Sequence, residues 1–360
     1  TMFAQGFLDG VGSRNMFSPG SQDCNNKFAV SRHLYGYPFT QPFPDIDRCS
    51  CLILVGTNPA VSKMSFINLP YPIRKLRAIE ERGGKVFLVN PRRTESAKAF
   101  GEQVFIRPDS DLFFMLAFLG ELIAAGGVDH RRIEGFMSGY EEIVTLAKAW
   151  NAEKVEGVTG IEAACMRGMV SAYMEADGAA IYSSTGVNQG SHGSLSFWLQ
   201  EVINAVSGNL DRYGGTLVGR GLADLAAIGK RKGFMLRDDR SRVGAFDSVV
   251  DTFPCGILAD EILTPGRGQI KALFVTGGNP ALTLAGGDRL KKALGDLELL
   301  VTVDIFRSET AELGHYVLPA VSSMQRPDIP LILQAFGGMQ PAPYLQYSDR
   351  VVEPEAEQRD

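Results

Sequence analysis

LILVGTNPAVS (52–62) recurs further along the chain as LFVTGGNPALT (273–283). In each, an apolar run reaches a glycine and one more residue, then turns through Asn-Pro-Ala. A second pair follows: NPRRTESA (90–97) and DIFRSETA (304–311), which match Arg93 with Arg307, Glu95 with Glu309 and Ala97 with Ala311. The match continues through Gly101 with Gly314 and Val104 with Val317. Asn58 lies 32 residues before Asn90, and Asn279 lies 25 before Asp304, a difference attributed to a shorter second helix.

Each repeat reads as strand, loop, helix, strand, loop. The apolar run CSCLILV is a parallel strand buried on both faces. Residues 71–83 carry apolar residues at helical spacing and end in glycine. DSDLFFMLAFLGELIAAGG begins with an acidic N-cap and continues as a strongly apolar helix. Further on, VTGIEAACMRGMVSAYMEA and SLSFWLQEVINAVSG are helices flanking the strand and glycine-rich loop of AAIYSSTGVNQGSHGS. Strands alternating with helices give an α/β class with parallel sheets, here two Rossmann-like halves related by the internal repeat.

Such a unit sets its two polar loops side by side at the carboxyl edge of the sheet, where open α/β sheets bind nucleotides. Glycine allows close backbone approach, and a following helix presents free N–H groups to an anion. An Asn or Asp ending the next strand can hydrogen-bond a ribose or a guanine edge. Neither half has G-x-G-x-x-G or a P-loop, which disfavours an ordinary nicotinamide enzyme or nucleotide triphosphatase.

Composition narrows the class further. The 360 residues are 45% hydrophobic and 21% charged, ordinary for a globular enzyme. Mean hydropathy is -0.01 and no run of about 18 apolar residues occurs, so no membrane span is expected. A net charge of -5 argues against nucleic acid as a partner. The five cysteines are scattered without a C-x-x-C pair, and the four histidines lack metal-ligand spacing. The chain opens TMFAQGFLDG and closes VVEPEAEQRD, which points to a piece of a longer protein and leaves the compartment, cytoplasmic or periplasmic, open.

The chain resembles the catalytic subunits of the molybdopterin oxidoreductase superfamily, which includes dimethyl sulfoxide reductase, formate dehydrogenase and periplasmic nitrate reductase. The pieces that carry the resemblance, in family order, are GSRNMFS…DC (12–24), VGTNPAVS (55–62), VNPRRTESA (89–97), IRPDSDL (106–112), STGVNQG (184–190), GNLDRYGG (208–215), TGGNPALT (276–283) and VDIFRSETAELGHYVLPA (303–320). The resemblance implies bis-molybdopterin guanine dinucleotide with molybdenum or tungsten, and oxygen-atom or two-electron, proton transfer on a small-molecule substrate. By motif match, Gly56, Thr57, Asn58, Ser62, Asn90, Pro91, Arg92, Ile106, Asp111, Gly186 and Gln189 would hold one dinucleotide. Gly277, Gly278, Asn279, Asp304 and Phe306 would sit at the other.

The family's protein ligand to the metal follows the G-S-x-N segment, and three residues compete for it: Asp23, Cys24 and Ser18. A thiolate donates more strongly than a carboxylate or alkoxide, so the choice tunes the metal. Formate dehydrogenases place His directly after the ligand. Here Asn25 follows Cys24, which disfavours formate oxidation. Arg220 matches an arginine near the metal in formate dehydrogenases, and its cationic fork suits an anionic substrate. A [4Fe-4S] cluster is expected only in an N-terminal region outside this sequence, with an electron-transfer subunit as partner.

Two rivals stand beside this reading: a metal-free scaffold akin to the large iron–sulfur subunit of respiratory complex I, against which both dinucleotide loops and the ligand segment argue, and a nonredox hydratase, which would share every motif. The expected division is a first dinucleotide-binding domain over 20–218 and a second over 219–345. Residues 1–19 would pack with the second, and 346–360 form a polar tail. Alone, such a piece is expected to be inactive.

Overall fold

The structure is a computed structural model and describes residues 2–64, 67, 69–329, 345–355 and 357–359. These fall into two compact units. One runs from Asn26 to Ala227; the other joins residues up to Asn25 with the described residues from Ile228 onward. The division at 227/228 falls within the helix Leu225–Lys232.

The first unit is built on four parallel strands, β1 (Cys51–Val55), β2 (Lys85–Asn90), β3 (Glu102–Phe105) and β4 (Ala179–Ser183), in the order β3-β2-β1-β4. β1 is central, and all five of its residues are buried. Its alternation explains the unbroken apolar run. Ile53 and Val55 face a core with α3 (Asp111–Ala124), α4 (Ala163–Glu175) and α5 (Gly193–Val206), whose large members include Phe114, Phe118 and Tyr173. Leu52 and Leu54 face a second core with Leu76 and Ile79 of α2 (Pro72–Glu81). A helix that leads the unit, α1 (Asn25–Tyr35), buries Lys27, Phe28 and Ser31.

The expected acidic cap of α3 is displaced by one residue. Ser110 occupies the cap position and donates its hydroxyl to the Arg107 carbonyl at 2.7 Å. Asp111 becomes the first helical residue, where a carboxylate meets the positive end of the helix.

The second unit carries three parallel strands, β5 (Ala272–Thr276), β6 (Leu299–Asp304) and β7 (Tyr316–Pro319), in the order β7-β6-β5. Its core joins Leu258 and Ile262 of α6 (Leu258–Leu263), Leu290 and Leu294 of α7 (Gly287–Gly295), and Leu300 of β6. In the same unit, Phe17–Ser18 pairs in parallel with Phe253–Pro254. Arg359 returns to it: the Val321 N–H donates to its carbonyl at 3.1 Å.

The repeat is a repeat of structure, with two corrections. The helices have nearly equal lengths, 10 residues in α2 and 9 in α7. The difference in spacing lies instead in the connections 63–71 and 284–286. The sequence match also steps by one residue after Ala97, and the strands do not. Phe87 pairs with Glu102 and Val89 with Val104, as Val301 pairs with Tyr316 and Val303 with Leu318. Val104 thus corresponds to Leu318, and Gly101 to His315.

The two halves differ at the glycine that ends the first strand. Gly56 has φ +60°, and a Cβ there would meet the Val187 backbone nitrogen at 2.8 Å. Gly277 has φ +59° and nothing within 4 Å. Both positions strain an L side chain, but only Gly56 is also packed against backbone. Gly56→Ala should therefore cost about 3 kcal/mol or more, and Gly277→Ala about 1 kcal/mol, in urea denaturation. Equal losses would contradict this assignment.

Candidate cofactor cleft

The chain runs β1 to β2 to β3 in one direction, then returns to β4 on the other side of β1. The order reverses between β1 and β4, the place where loops diverge and open α/β sheets form a crevice. A cleft of about 380 Å³ opens there, at the carboxyl ends of all four strands. Its walls are 56–62 after β1, 90–94 after β2, 106–111 after β3 and 184–186 after β4.

Ten of the eleven residues expected for the first dinucleotide line it: Gly56, Thr57, Asn58, Ser62, Asn90, Pro91, Arg92, Ile106, Asp111 and Gly186. Gln189 does not; it is exposed at the end of the short turn Thr185–Asn188. Val61, Thr94, Arg107, Pro108, Asp109, Ser184 and Thr185 also line the cleft and were not singled out in the sequence. The pieces IRPDSDL and STGVNQG contained five of them, so the signal was present without a chemical reason to weigh it.

Loop shape comes from side chains committed to the loops themselves. The Asn58 amide nitrogen donates to Glu95 Oε2 at 2.6 Å. Its Oδ1 accepts from the Ser96 N–H at 3.2 Å and the Ser96 hydroxyl at 2.7 Å. Ser96 Oγ accepts from the Ala60 N–H at 3.0 Å. The second unit repeats each bond: Asn279 donates to Glu309, and its Oδ1 accepts from the Thr310 N–H at 3.2 Å and Thr310 Oγ1 at 2.8 Å. Thr310 Oγ1 then accepts from the Ala281 N–H at 3.0 Å. Asn58 and Asn279 are thus clasps that lock the first loop to the second. Glu95 accepts from its own N–H, from Asn58 and from Arg92, which holds its carboxyl down at about 2. Glu309 is lowered by its own N–H and by Asn279.

Gly56 and Gly186 lie back to back at the switch point. The Gly186 N–H donates to the Gly56 carbonyl at 2.9 Å, and the Gly56 N–H donates to the Val89 carbonyl at 3.0 Å. A Cβ on Gly186 would meet that Gly56 oxygen at 2.7 Å. These glycines are required by loop-on-loop packing as much as by any ligand.

The family model of the molybdopterin oxidoreductases matches residues 1–360. The chain belongs to the molybdopterin oxidoreductase family. It is 25% identical over 290 residues to the F420-dependent formate dehydrogenase subunit alpha of Methanocaldococcus jannaschii, covering 78% of this chain and 42% of that protein. It is 24% identical over 326 residues to the assimilatory nitrate reductase catalytic subunit of Bacillus subtilis, covering 87% and 44%. Among solved structures, acetylene hydratase from Pelobacter acetylenicus superposes with a TM-score of 0.80 at 21% identity, over 98% of this chain and 51% of that one. The chain therefore spans less than half the length of these curated relatives. No helix among the described residues is long and apolar enough to cross a membrane.

The molybdopterin-type cofactor of the family carries polar and anionic groups, and the donor set of the cleft fits groups of that kind. The Thr57 hydroxyl is buried in the cleft wall with no hydrogen-bond partner. Asn90 donates to the Thr57 carbonyl at 3.2 Å, which turns that loop inward. Arg107 is tied to the Gly157 carbonyl, and Arg92 pairs with Glu95 at 3.2 Å. Asp109, at φ +63°, accepts from the Ser191 N–H at 2.7 Å and hydroxyl at 2.6 Å. Beside it, burial pushes Asp111 up to about 6, assisted by the Asp109 charge and opposed by its own backbone N–H.

The remaining candidates are not among the residues that line the cleft. Ser18 caps the short turn Pro19–Gln22, its Oγ accepting from the Gly20 N–H at 3.1 Å. Asp23 is exposed and Cys24 is buried in the same segment. No group of three or more His, Cys, Asp or Glu among the described residues could hold a metal by itself. Arg220 is exposed on an irregular segment. Gly277 is exposed and Gly278 half-buried, Asp304 accepts from the Phe306 N–H at 3.1 Å, and the Phe306 side chain is open to solvent. His315 is structural: its Nδ1 accepts from the Leu300 N–H at 3.0 Å.

Two outcomes are expected. Asn58→Ala and Asn279→Ala each leave a buried hydroxyl and N–H without their acceptor and should cost about 1–3 kcal/mol in urea denaturation. Asp111 has a raised folded pKa, so protonation favours the fold; its contribution is present below about 3.8 and lost as pH rises through about 6. Asp111→Asn should therefore be more stable than wild type at pH 8, on the order of 1 kcal/mol for a partly exposed group. That advantage should vanish near pH 3. A constant difference across that range would exclude the assignment.

Proposed function

We propose that the chain is the central part of a molybdenum or tungsten catalytic subunit that binds two molybdopterin guanine dinucleotides. When bound, that cofactor supplies oxygen-atom transfer or two-electron, proton transfer at its metal. The observation that carries this reading is the doubled loop set. Two clasped Asn-Pro loops occur in the same order, each at the carboxyl edge of a parallel sheet, which suits two similar ligands.

Within the cleft, Thr57 Oγ1 and the N–H groups of Thr57 and Asn58 suit a diphosphate or ribose. The Asp111 carboxyl suits the paired N–H donors of a guanine edge. Gly277, Gly278, Asn279, Asp304 and Phe306 would serve the second dinucleotide. One of Asp23, Cys24 and Ser18 would bind the metal, and Arg220 would face an anionic substrate or a developing oxyanion. Electrons would leave through an iron–sulfur cluster outside these 360 residues and an electron-transfer partner subunit; the formate dehydrogenase relative is itself one subunit, alpha, of its enzyme.

A second reading has its own support. The structural likeness to acetylene hydratase keeps a nonredox hydratase open, although at 21% identity it concerns the fold. Both readings are tested on full-length protein from a host able to make the cofactor. About one molybdenum or tungsten, with two GMP released per chain by hydrolysis, is the expected result. Absence of both would favour a cofactor-free scaffold. With cofactor present, turnover of a redox dye separates the oxidoreductase from the hydratase.

A further inference from the structure

Ser183 ends β4, and the next three residues, Ser184, Thr185 and Gly186, form one wall of the cleft. Both backbone groups of Ser183 are held by side chains. Its N–H donates to Gln200 Oε1 at 2.6 Å, and its carbonyl accepts from the Lys27 ammonium. Lys27 is only 4% exposed, and its Nζ lies 4.9 Å from the ring centres of both Tyr182 and Phe197. Gln200 also donates to Glu201 at 2.7 Å, and the Tyr35 hydroxyl donates to the other Glu201 oxygen at 2.6 Å.

A single carbonyl at a strand end needs only one donor, and a neutral amide provides it. Burying an ammonium is far costlier than burying an amide, even with ring faces and a carbonyl around it. The donor alone therefore does not explain a lysine here; its charge does. Burial also pushes the Glu201 carboxyl up towards its neutral form, against its bonds to Tyr35 and Gln200 and the Lys27 charge. In this network the ammonium, not the carboxyl, is bonded to the base of the cleft wall.

We infer that Lys27 is a specificity-determining residue of the cleft, acting from behind the Ser183–Gly186 wall to favour a nucleoside diphosphate over an uncharged nucleoside. It is a positioning residue that touches no ligand. Its charge is weakly screened because it is buried, so it acts across the wall. This inference rests on reading the cleft as a guanine dinucleotide site.

The test uses full-length apoprotein from a host unable to make the cofactor, titrated calorimetrically with GDP and with guanosine. Wild type should bind GDP at least about tenfold more tightly than guanosine. Lys27→Gln and Lys27→Met should lose about tenfold in GDP affinity at one site and nothing for guanosine, and Lys27→Arg should recover most of the loss. Lys27→Gln keeps a donor for the Ser183 carbonyl, so it reads the charge even where the methionine variant does not fold. Equal loss of GDP and guanosine affinity would make Lys27 a purely structural anchor and overturn the inference, as would unchanged GDP affinity in Lys27→Gln. Wild type that binds no GDP overturns the guanine nucleotide reading of the cleft, and this inference with it.

Discussion

The Asn58 side chain is the constraint on which the cleft depends. One planar amide reaches from the first loop to the second, giving a hydrogen to Glu95 and receiving two from Ser96. Loops at strand ends have no ladder to hold them, and their backbone groups need partners from elsewhere. The clasp provides those partners and fixes the distance between the loops. Its atom-for-atom recurrence at Asn279, Glu309 and Thr310 makes it a property of the duplicated unit rather than of one site.

Duplication did not make the halves equal. The first unit adds β4 beside β1, and the loop after β4 packs its Gly186 against Gly56. That fourth loop closes the cleft and brings the buried Lys27 network behind it. Among the described residues of the second unit the sheet has three strands, and Gly277 has no neighbour for a Cβ to meet. The same loop sequence is therefore packed at its glycine once, at Gly56, and unpacked there once, at Gly277. Residues that look equivalent in the repeat, such as Asn90 and Asp304, meet different surroundings for this reason.

Cleft electrostatics follow from burial more than from net charge. Arg92, Arg107, Asp109 and Asp111 all line it, yet three of the four are tied elsewhere: Arg92 to Glu95 on its own loop, Arg107 to the Gly157 carbonyl of the helix Ala152–Thr159, and Asp109 to Ser191. Asp111 is the exception, and burial holds its carboxyl near neutral pH. A carboxyl at that position suits the N–H donors of a base, while Thr57 and the loop N–H groups suit an anion. The family's breadth, from formate dehydrogenase to nitrate reductase in the relatives matched here, is consistent with a shared cofactor frame whose substrate choice lies elsewhere.

What the sequence determined by itself was local and periodic. The doubled apolar run with Gly-x-Asn-Pro-Ala, the matched second loops and the apolar helices are written in neighbouring residues, and they establish a parallel α/β fold with loops at one sheet edge. Motif match to the family also named ten residues that meet in the cleft, and they meet because strand ends in a parallel sheet share an edge. Only the tertiary structure decided how those residues are used. It spent the Asn58 amide on Glu95 and Ser96, turned Asp109 to Ser191, moved the α3 cap from an acid to Ser110, and put Lys27 beneath Ser183. All but the cap join segments far apart in the chain, and such partnerships depend on strand order and on which loop has room. No spacing in the sequence records that, since the free energy of a buried polar bond depends on the surroundings that folding brings to it.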